Sequence, residues 1–468
     1  MLFNSAVFIF LFLPIVLCLY YIFPSKYRNL LIFIASLIFY SWGEKELVLI
    51  MIASSVTDFF AGIIIEQGKK KTGLVMSLIV NLGLLTIFKY LDFIIGNINY
   101  IFSLFSLDEF SIEKQGIILP IGISFYTFQT MSYTIDVYFG KVKATRNFIN
   151  FGAYVTMFPQ LIAGPIVRYI DIHKQLEFRN HSIELFSEGA ERFIIGLSKK
   201  MIFANSFGYV ADSIFVYSPD LISTPVAWIG ILAYSLQIYF DFSAYSDMAI
   251  GIGKMFGFKI PENFNYPYIS KSIKEFWRRW HISLSTWFRD YLYIPLGGNR
   301  ISPKRTYLNL LIVFFITGLW HGSSWNFIFW GLFHGLFLAL ERLGFDKILQ
   351  KIWIPIQHIY TLFIVLVGWV FFRAETLEYG LHYVMSMFGM NSSKLKYDVF
   401  LNSEIVMTFI LGIILSTPIF IKTKSFIIEN RYNSFFNLVY YLLIFFLLFI
   451  SIGLIAANSY NPFIYFRF

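Results

Sequence analysis

Charged side chains are scarce in this sequence, and cysteine is almost absent. Asp, Glu, Lys and Arg make up 14% of the 468 residues, whereas hydrophobic residues make up 57%. A soluble domain has about 25% charged residues, so the composition argues against a chain of several soluble domains. The single cysteine, Cys18, excludes a disulfide framework and a cysteine-based metal site.

Long apolar runs separated by short polar loops fill the chain, whose mean hydropathy is +0.65. They predict an all-α polytopic membrane protein with about eleven transmembrane helices and one or two re-entrant or interfacial segments. No internal repeat or long linker is visible, so residues 1–468 are expected to form a single integral membrane domain. The first run, residues 3–23, lacks a basic n-region and a cleavage site and is interpreted as a retained transmembrane helix.

Positive charge is concentrated in loops between the apolar runs, although the net charge of +9 could also suggest nucleic acid. The first, third and fifth loops are basic and the second and fourth are mainly acidic. The positive-inside rule therefore predicts an N-terminus outside the cell and a cytoplasmic basic cluster over residues 254–305. Anionic membrane lipid is the expected partner of these charges, and no nucleic acid is expected.

Residues 276–335 hold three of the seven histidines and the densest basic patch. The first part reads FWRRWHISLSTWFRDYLYIPLGGNR. As one helix it would place an aromatic face opposite a basic face that includes His281, which is typical of a helix lying along a membrane surface. The second part reads FFITGLWHGSSWNFIFWGLFHG. Its His321 follows an uncharged apolar segment, and a titratable group at that depth is a candidate functional residue.

Two interpretations of His321 stand side by side. Imidazole is well suited to remove a proton from a hydroxyl near neutral pH, so His321 is a candidate general base. It could equally be a buried, hydrogen-bonded core histidine. No serine elbow or Cys–His arrangement accompanies it, so a covalent acyl-enzyme is poorly supported.

Other polar residues in apolar surroundings also allow a structural interpretation. Asp241 and Asp247 interrupt the segment YFDFSAYSDMAIGIG, where pairing with an arginine is favoured over direct catalysis. Two prolines and a glycine in MFPQLIAGPIVR predict a kinked or re-entrant element over Pro159–Arg168, near a cavity. His334 lies on a small-residue face that suits helix packing. No histidine pair has the spacing of a metal site, so no metal is expected.

The long block WRRWH…YIPLGGNR, followed by TGLWHGSSWNFIFWGLFHGLFLALER, resembles the signature of the membrane-bound O-acyltransferases. The similarity is greatest to the bacterial branch of alginate and peptidoglycan O-acetyltransferases. The opening MLFNSAVFIFLFLP, the segments PQLIAGPIVRY and FDFSAYSDMAIGIGKMFGF, and the terminal NPFIYFRF also resemble that branch. The resemblance therefore covers nearly the whole chain.

The resemblance implies a ring of transmembrane helices around a thinned centre with a tunnel. It implies that His321 is the catalytic residue and that His281 is the second signature residue, near the cytoplasmic side. A bacterial inner-membrane O-acetyltransferase is expected, with acetyl-CoA as the donor substrate and no bound cofactor. An extracytoplasmic SGNH-type partner would deliver acetyl to a cell-wall or exported polysaccharide. The expected donor-binding residues are Arg278, Arg279, Trp280 and Arg289, and the expected tunnel or supporting residues are Trp320, Asp241, Asp247, Gln160 and His334.

Two alternative functions stay open at this point. D-alanyl transfer from a carrier protein to teichoic acid belongs to the same superfamily, and the basic residues 254–305 could bind an acidic carrier. A transporter or flippase for a lipid-linked sugar would also use intramembrane acids and broken helices, although the inverted repeats typical of transporters are not visible.

Overall fold

A computed structural model describes residues 1–390, 395–419, 434–457 and 460–462 of the chain. Within these ranges the chain forms helices and connecting loops without a strand, which confirms the all-α prediction. Buried apolar side chains between Phe3 and Phe400 form one contiguous core.

Twenty-one α-helices are present among the described residues. In chain order they are α1 (Leu13–Ile22), α2 (Arg28–Glu44), α3 (Val48–Glu66), α4 (Lys70–Leu85), α5 (Leu91–Leu104), α6 (Ile123–Tyr138), α7 (Phe148–Thr156), α8 (Phe158–Leu161), α9 (Tyr169–Glu177), α10 (Ile183–Ser198), α11 (Asn205–Phe215), α12 (Thr224–Met255), α13 (Ile273–Arg279), α14 (Ile282–Phe288), α15 (Pro303–His321), α16 (Trp325–Leu340), α17 (Asp346–Leu349), α18 (Ile354–Arg373), α19 (Leu377–Met387), α20 (Ser403–Leu415) and α21 (Ser434–Ala456). Segments of π-helix flank or join several of them, at Phe8–Phe12, Thr86–Tyr90, Lys199–Ala204, Arg289–Tyr293 and Glu341–Phe345.

Six helical stretches among the described residues are long and apolar enough to cross a membrane. They are Ser25–Glu66, Lys70–Leu104, Thr224–Met255, Trp325–Leu349, Ile354–Arg373 and Phe435–Ala456. The membrane character of the chain is therefore supported, whereas the span count of about eleven and the central tunnel stay predictions. The predicted span over residues 405–421 and the terminal NPFIYFRF lie partly outside the described residues.

Contacts between loops sort them into two groups, as an alternating membrane topology requires. At one end, Arg146 of the fifth loop forms a 2.8 Å ion pair with Glu66, at the third loop. At the other end, Glu44 Oε2, at the second loop, accepts a 3.0 Å hydrogen bond from the backbone N–H of Ile121 in the fourth loop. Odd loops thus meet odd loops and even loops meet even loops, in agreement with the charge pattern. Which end is cytoplasmic stays a prediction.

The predicted continuous helix through residues 276–291 is wrong. The chain breaks between α13 and α14, where His281 takes left-handed backbone angles with φ of 43°. The aromatic side is also buried within the protein and does not face lipid, since Phe276 and Trp280 are almost inaccessible. The basic side is not uniformly exposed either, because His281 is fully buried. The periodicity of side chains along a helix does not predict that one residue takes left-handed backbone angles and ends the helix.

The predicted break over Pro159–Arg168 is present. The helix α7 ends at Thr156, α8 lasts four residues, and the chain then continues without helix to Arg168. Nearly the whole segment is buried. Protein atoms therefore surround this irregular backbone, as they must where water is scarce.

Helices α15 and α16 form a hairpin whose backbones approach closely at two glycines. A Cβ atom at Gly331 would lie 2.2 Å from the carbonyl oxygen of Phe314. A Cβ atom at Gly318 would lie 2.3 Å from the carbonyl oxygen of Phe327. Only glycine permits this distance without a backbone shift. The hairpin thus positions the end of α15, where His321 lies.

We expect Gly331→Ala to destabilise the protein by about 1–3 kcal/mol, because the added methyl group overpacks a backbone contact. Thermal unfolding of the purified protein in detergent measures the effect as a lower Tm. Gly83→Ala in α4 is the matched control, because a Cβ atom there meets no atom within 4 Å. A Tm for Gly331→Ala equal to that of the control variant would contradict the close packing.

Candidate active site

His321 is the last residue of α15, and its side chain is enclosed by aromatic rings. The residue is 6% exposed. The ring centroids of Trp320, Trp330 and Phe372 lie 4.9, 5.0 and 5.0 Å from the imidazole centroid. All three rings meet the imidazole nearly edge to face, the arrangement that aromatic pairs prefer. The rings thus hold the imidazole in one orientation.

Lys89 places a positive charge next to His321. It lies in the π-helical joint between α4 and α5 and is 8% exposed. Its Nζ donates to the carbonyl oxygens of Trp320, at 2.5 Å, and His321, at 3.4 Å, and to Ser124 Oγ at 3.1 Å. The last carbonyls of a helix have no intrahelical partner and carry partial negative charge, so a cation is favourable there. All three partners are uncharged, so none of them neutralises the ammonium group.

A narrow cavity of about 20 Å³ lies at this junction. Its lining includes Lys89, Trp320, His321, Ile162 and residues 119–125. A volume of this size holds about one water molecule. Residues 119–122 belong to the fourth loop, which the charge pattern predicts to be extracytoplasmic. His321 is therefore next to a cavity at the end of the protein opposite the basic loops.

His281 is held by a second, separate hydrogen-bond network. Asn263 Oδ1 lies 3.2 Å from His281 Nδ1 and accepts from the backbone N–H of Ser283 at 3.2 Å and from Ser283 Oγ at 2.9 Å. Because a backbone N–H can only donate, this atom of Asn263 is the oxygen, and His281 Nδ1 therefore carries a proton. Nε2 is left as an acceptor, and it is buried without a hydrogen-bond partner among the described residues.

Trp320 lies between the two histidines. Its ring centroid is 6.2 Å from that of His281 and 4.9 Å from that of His321. Its indole Nε1 donates a long hydrogen bond, 3.4 Å, to the carbonyl oxygen of Ser124. The fold therefore brings both predicted histidines into contact with one indole ring.

The irregular segment Pro159–Arg168 connects the two histidine surroundings. Ile162 lines the cavity beside His321. The backbone N–H of Ile166 donates to Ser283 Oγ at 2.9 Å, beside His281. Gln160 Nε2 donates to the carbonyl oxygen of Tyr154 at 3.1 Å, and its Oε1 is buried without a partner in the described structure. Gln160 thus anchors this segment internally.

The predicted donor-binding residues have different surroundings. Arg278 is exposed, and Arg279 pairs with Glu275 at 2.8 Å. Arg289 pairs with Asp290 at 2.7 Å, at the basic end of the protein. Trp280 is only 3% exposed. It packs against Phe264, Phe276 and Trp369 and so supports the core instead of a surface site.

The two aspartates of α12 form ion pairs, as predicted. Asp247 pairs with Arg192 at 2.8 Å and with Lys199 at 2.6 Å. Asp241 pairs with a lysine, Lys200, at 2.8 Å, where an arginine was expected. The Asp241–Lys200 pair neutralises two charges in the apolar core, whereas the pairs of Asp247 are partly exposed. Both arrangements fit a structural role.

His334 belongs to the aromatic packing next to Trp330, which also contacts His321. It is fully buried, and both its ring nitrogens are without a hydrogen-bond partner among the described residues. The rings of Trp277 and Trp330 lie 5.2 and 5.3 Å from its centroid. This environment favours the packing interpretation.

Sequence reasoning missed three residues that the fold brings to the site: Lys89, Ser124 and Asn263. Lys89 directly follows the apolar run of residues 74–88, and a lysine continuous with an apolar helix is a signal for a buried charge. Ser124 and Asn263 carry no such signal. Their roles depend on contacts with residues more than 15 positions away in sequence.

The chain matches one protein-family model and several known proteins. The model of the membrane-bound O-acyltransferase family matches residues 140–359. The chain is 47% identical over 394 residues to the probable alginate O-acetylase AlgI of Azotobacter vinelandii, covering 83% of this chain and 78% of that protein. It is 37% identical over 440 residues to the peptidoglycan O-acetyltransferase of Helicobacter pylori, covering 84% and 81%. It is 30% identical over 251 residues to the teichoic acid D-alanyltransferase of Bacillus subtilis, covering 50% and 62%.

We expect Asn263→Ala to destabilise the protein by about 2–3 kcal/mol, because it leaves buried donors of His281 and Ser283 unsatisfied. The measurement is thermal unfolding in detergent. Asn265→Ala removes the same amide from an exposed position nearby and serves as the control. Equal Tm values for the two variants would show that the His281 backbone does not depend on Asn263.

Proposed function

We propose a specific reaction for this chain, which belongs to the membrane-bound O-acyltransferase family and is an acyltransferase. It takes an acetyl group from a cytoplasmic thioester, acetyl-CoA, and transfers it across the membrane for O-acetylation of a cell-wall or exported polysaccharide. The names of the alginate and peptidoglycan relatives support acetyl as the group and a glycan as the final acceptor. The observation that carries the proposal is the buried imidazole of His321 beside the Lys89 ammonium at a cavity opposite the basic end.

His321 acts as the general base in this reaction. It removes the proton of an acceptor hydroxyl while the hydroxyl oxygen attacks the thioester carbonyl carbon. The C–S bond then breaks, and the departing thiolate takes the proton back from the imidazolium ion. Burial supports this role, because excluding water protects the thioester from hydrolysis. General-base catalysis contributes about 10²–10⁴-fold to the rate.

Lys89 stabilises the negative charge that develops on the carbonyl oxygen during this attack. Its ammonium group lines the same cavity as His321, in a site with little water. A charge fixed before the reaction acts strongly in such surroundings. The cavity itself is smaller than an acetyl thioester, so acyl transfer requires side-chain movement, and Trp320 is the largest side chain in its lining.

The donor reaches the reaction centre from the basic end. Arg278, exposed on α13, and the ion-paired Arg279 and Arg289 offer guanidinium groups for the phosphates of coenzyme A. His281 Nε2, an acceptor with no partner among the described residues, is available to a donor N–H or O–H group. The thioester end of the donor then meets Trp320 before it meets His321.

The immediate acceptor is a hydroxyl presented at the extracytoplasmic end of the protein. We propose that an SGNH-type partner there accepts the acetyl group and delivers it to the polysaccharide. The membrane is the inner membrane of a bacterial cell. The position of the cavity beside the fourth loop supports an acceptor arriving from that side.

D-alanyl transfer from a carrier protein is the second candidate. It is favoured by the match to the teichoic acid D-alanyltransferase, which covers half of this chain. The higher identity and larger coverage of the O-acetylating relatives favour acetyl transfer. The lipid-linked sugar transporter has no comparable support.

We expect His321→Ala to reduce acetyl transfer by about 10²–10⁴-fold, since it removes the base. Purified protein in nanodiscs is incubated with radiolabelled acetyl-CoA, and release of free coenzyme A and transfer to a sugar hydroxyl are measured. His173→Ala, in α9 away from the cavity, is the control. Activity near that of the unmodified protein in His321→Ala would refute the assignment.

The same assay separates the alternatives. If acetyl-CoA is inert and a D-alanyl carrier protein is a donor, the second candidate is correct. If neither donor reacts with an SGNH-type partner present, the acyltransfer proposal for this donor class fails.

We expect Lys89→Met to lower kcat by about 10²–10³-fold with little change in KM, because Lys89 acts on the transition state. Lys70→Met removes the same charge from the exposed start of α4 and serves as the control. A variant that unfolds lowers the amount of folded protein and is recognised by its Tm. A folded Lys89→Met variant with unchanged kcat would exclude the electrostatic role.

A further inference from the structure

A cluster of arginine and histidine side chains lies at the basic end, away from the candidate active site. It is formed by Arg28, Arg179 and His181 around the phenol ring of Tyr20. The guanidinium carbons of Arg28 and Arg179 lie 5.1 and 5.6 Å from the centre of this ring. Arg179 also lies 4.3 Å from the ring centre of Phe258. Four separate parts of the chain thus bring two permanent positive charges to one aromatic side chain.

One arrangement of hydrogen bonds fits the contacts of the Tyr20 hydroxyl group and of the two His181 ring nitrogens. Tyr20 OH donates to the carbonyl oxygen of Phe256 at 2.8 Å and accepts from Arg179 Nε at 2.8 Å. His181 Nε2, 2.8 Å from the same phenol oxygen, must then be the protonated nitrogen. His181 Nδ1 is left to accept from Arg28 at 3.3 Å. This arrangement requires a neutral imidazole.

The charge state of His181 agrees with that arrangement. Burial, followed by the nearby charges of Arg28 and Arg179, lowers the pKa of His181. The imidazole is therefore neutral near pH 7 and does not add a third positive charge.

The two guanidinium groups nevertheless have no counter-ion among the described residues. The partners found for Arg28 and Arg179 within the described residues are uncharged: the ring of His181, the phenol of Tyr20, the side chain of Asn29 and backbone carbonyls. Glu188 of α10 pairs with Lys254, at 2.9 Å. Like charges held close together in a partly buried site repel each other unless an anion neutralises them.

The side chains around the cluster suit an amphiphilic anion. Tyr21 and Phe23 are exposed apolar residues at the end of α1, immediately before Arg28. Tyrosine at the boundary between apolar and polar surface is typical of a membrane interface. Guanidinium groups bind phosphate through paired hydrogen bonds, and planar arginine forks suit this geometry.

We propose that Arg28 and Arg179 form a binding site for a phosphate group at the cytoplasmic end of the protein. The phosphate of an anionic phospholipid and those of coenzyme A share this chemistry. The site is distinct from the acyl-transfer centre. Phe242 contacts His281 and Phe256 contacts Tyr20, and these two residues of the α12 region lie 14 positions, or roughly 20 Å, apart along the helix axis.

Binding is tested by native mass spectrometry of the purified protein in detergent. The probes are dioctanoyl phosphatidylglycerol, dioctanoylglycerol as the same lipid without phosphate, and coenzyme A. The variants are Arg28→Gln and Arg179→Gln. Lys26→Gln removes a positive charge from the same loop, where Lys26 is exposed, and is the matched control. Arg179→Lys retains the charge if Arg179→Gln does not fold.

We expect phosphatidylglycerol to bind more tightly than dioctanoylglycerol, and each Arg→Gln variant to lose about tenfold in affinity. The Lys26→Gln affinity should stay within about twofold of the unmodified protein. If the Arg variants lose binding of coenzyme A and not of phosphatidylglycerol, the result would also support the phosphate site. It would identify coenzyme A as the ligand. Equal losses in Lys26→Gln, or no preference for phosphate-bearing probes, would overturn the proposal. None of these readouts requires acyl transfer.

Discussion

The contact between the Lys89 ammonium and the terminal carbonyls of α15 is the interaction on which the candidate site depends. A helix that ends inside an apolar protein leaves its last carbonyls without partners, which is costly unless a donor reaches them. Lys89 reaches those of Trp320 and His321 from the joint between α4 and α5, and it also reaches Ser124 at the start of α6. One side chain therefore joins three parts of the fold next to His321. The same charge that stabilises the helix end is available to stabilise a developing oxyanion.

Different local structures position the two histidines. His321 is positioned by a helix end and by the glycine contacts that bring α15 against α16. His281 is positioned by a left-handed residue between two short helices, which Asn263 stabilises by accepting hydrogen bonds from His281 and Ser283. The indole of Trp320 contacts both imidazoles, with centroid distances of 6.2 Å to His281 and 4.9 Å to His321. One side chain thus links the two differently built surroundings.

The helical class, the break over Pro159–Arg168 and the pairing of Asp247 could be predicted from sequence, because each has a local cause. In a membrane, the backbone N–H and C=O groups of an apolar run must bond to each other, which favours a helix. Proline removes one of these helical hydrogen bonds, and a buried carboxylate requires a nearby cation. The family signature identified His321 and His281 but not their partners. Lys89 and Asn263 act through contacts between distant parts of the chain, and the left-handed backbone of His281 has no periodic signal. Those features depend on tertiary packing, so a single sequence could not reveal them.

The small volume of the cavity has a consequence for how the enzyme works. A site with room for about one water molecule cannot hold a thioester and a hydroxyl together, so acyl transfer requires movement of the side chains that line it. The indole of Trp320 packs against Phe125, Phe128 and His321, so a shift of this ring would also change the packing that orients the imidazole. Lys89 contacts the backbone carbonyl of Trp320 and not a polar atom of its side chain. The contact at the end of α15 therefore does not depend on where the indole ring lies.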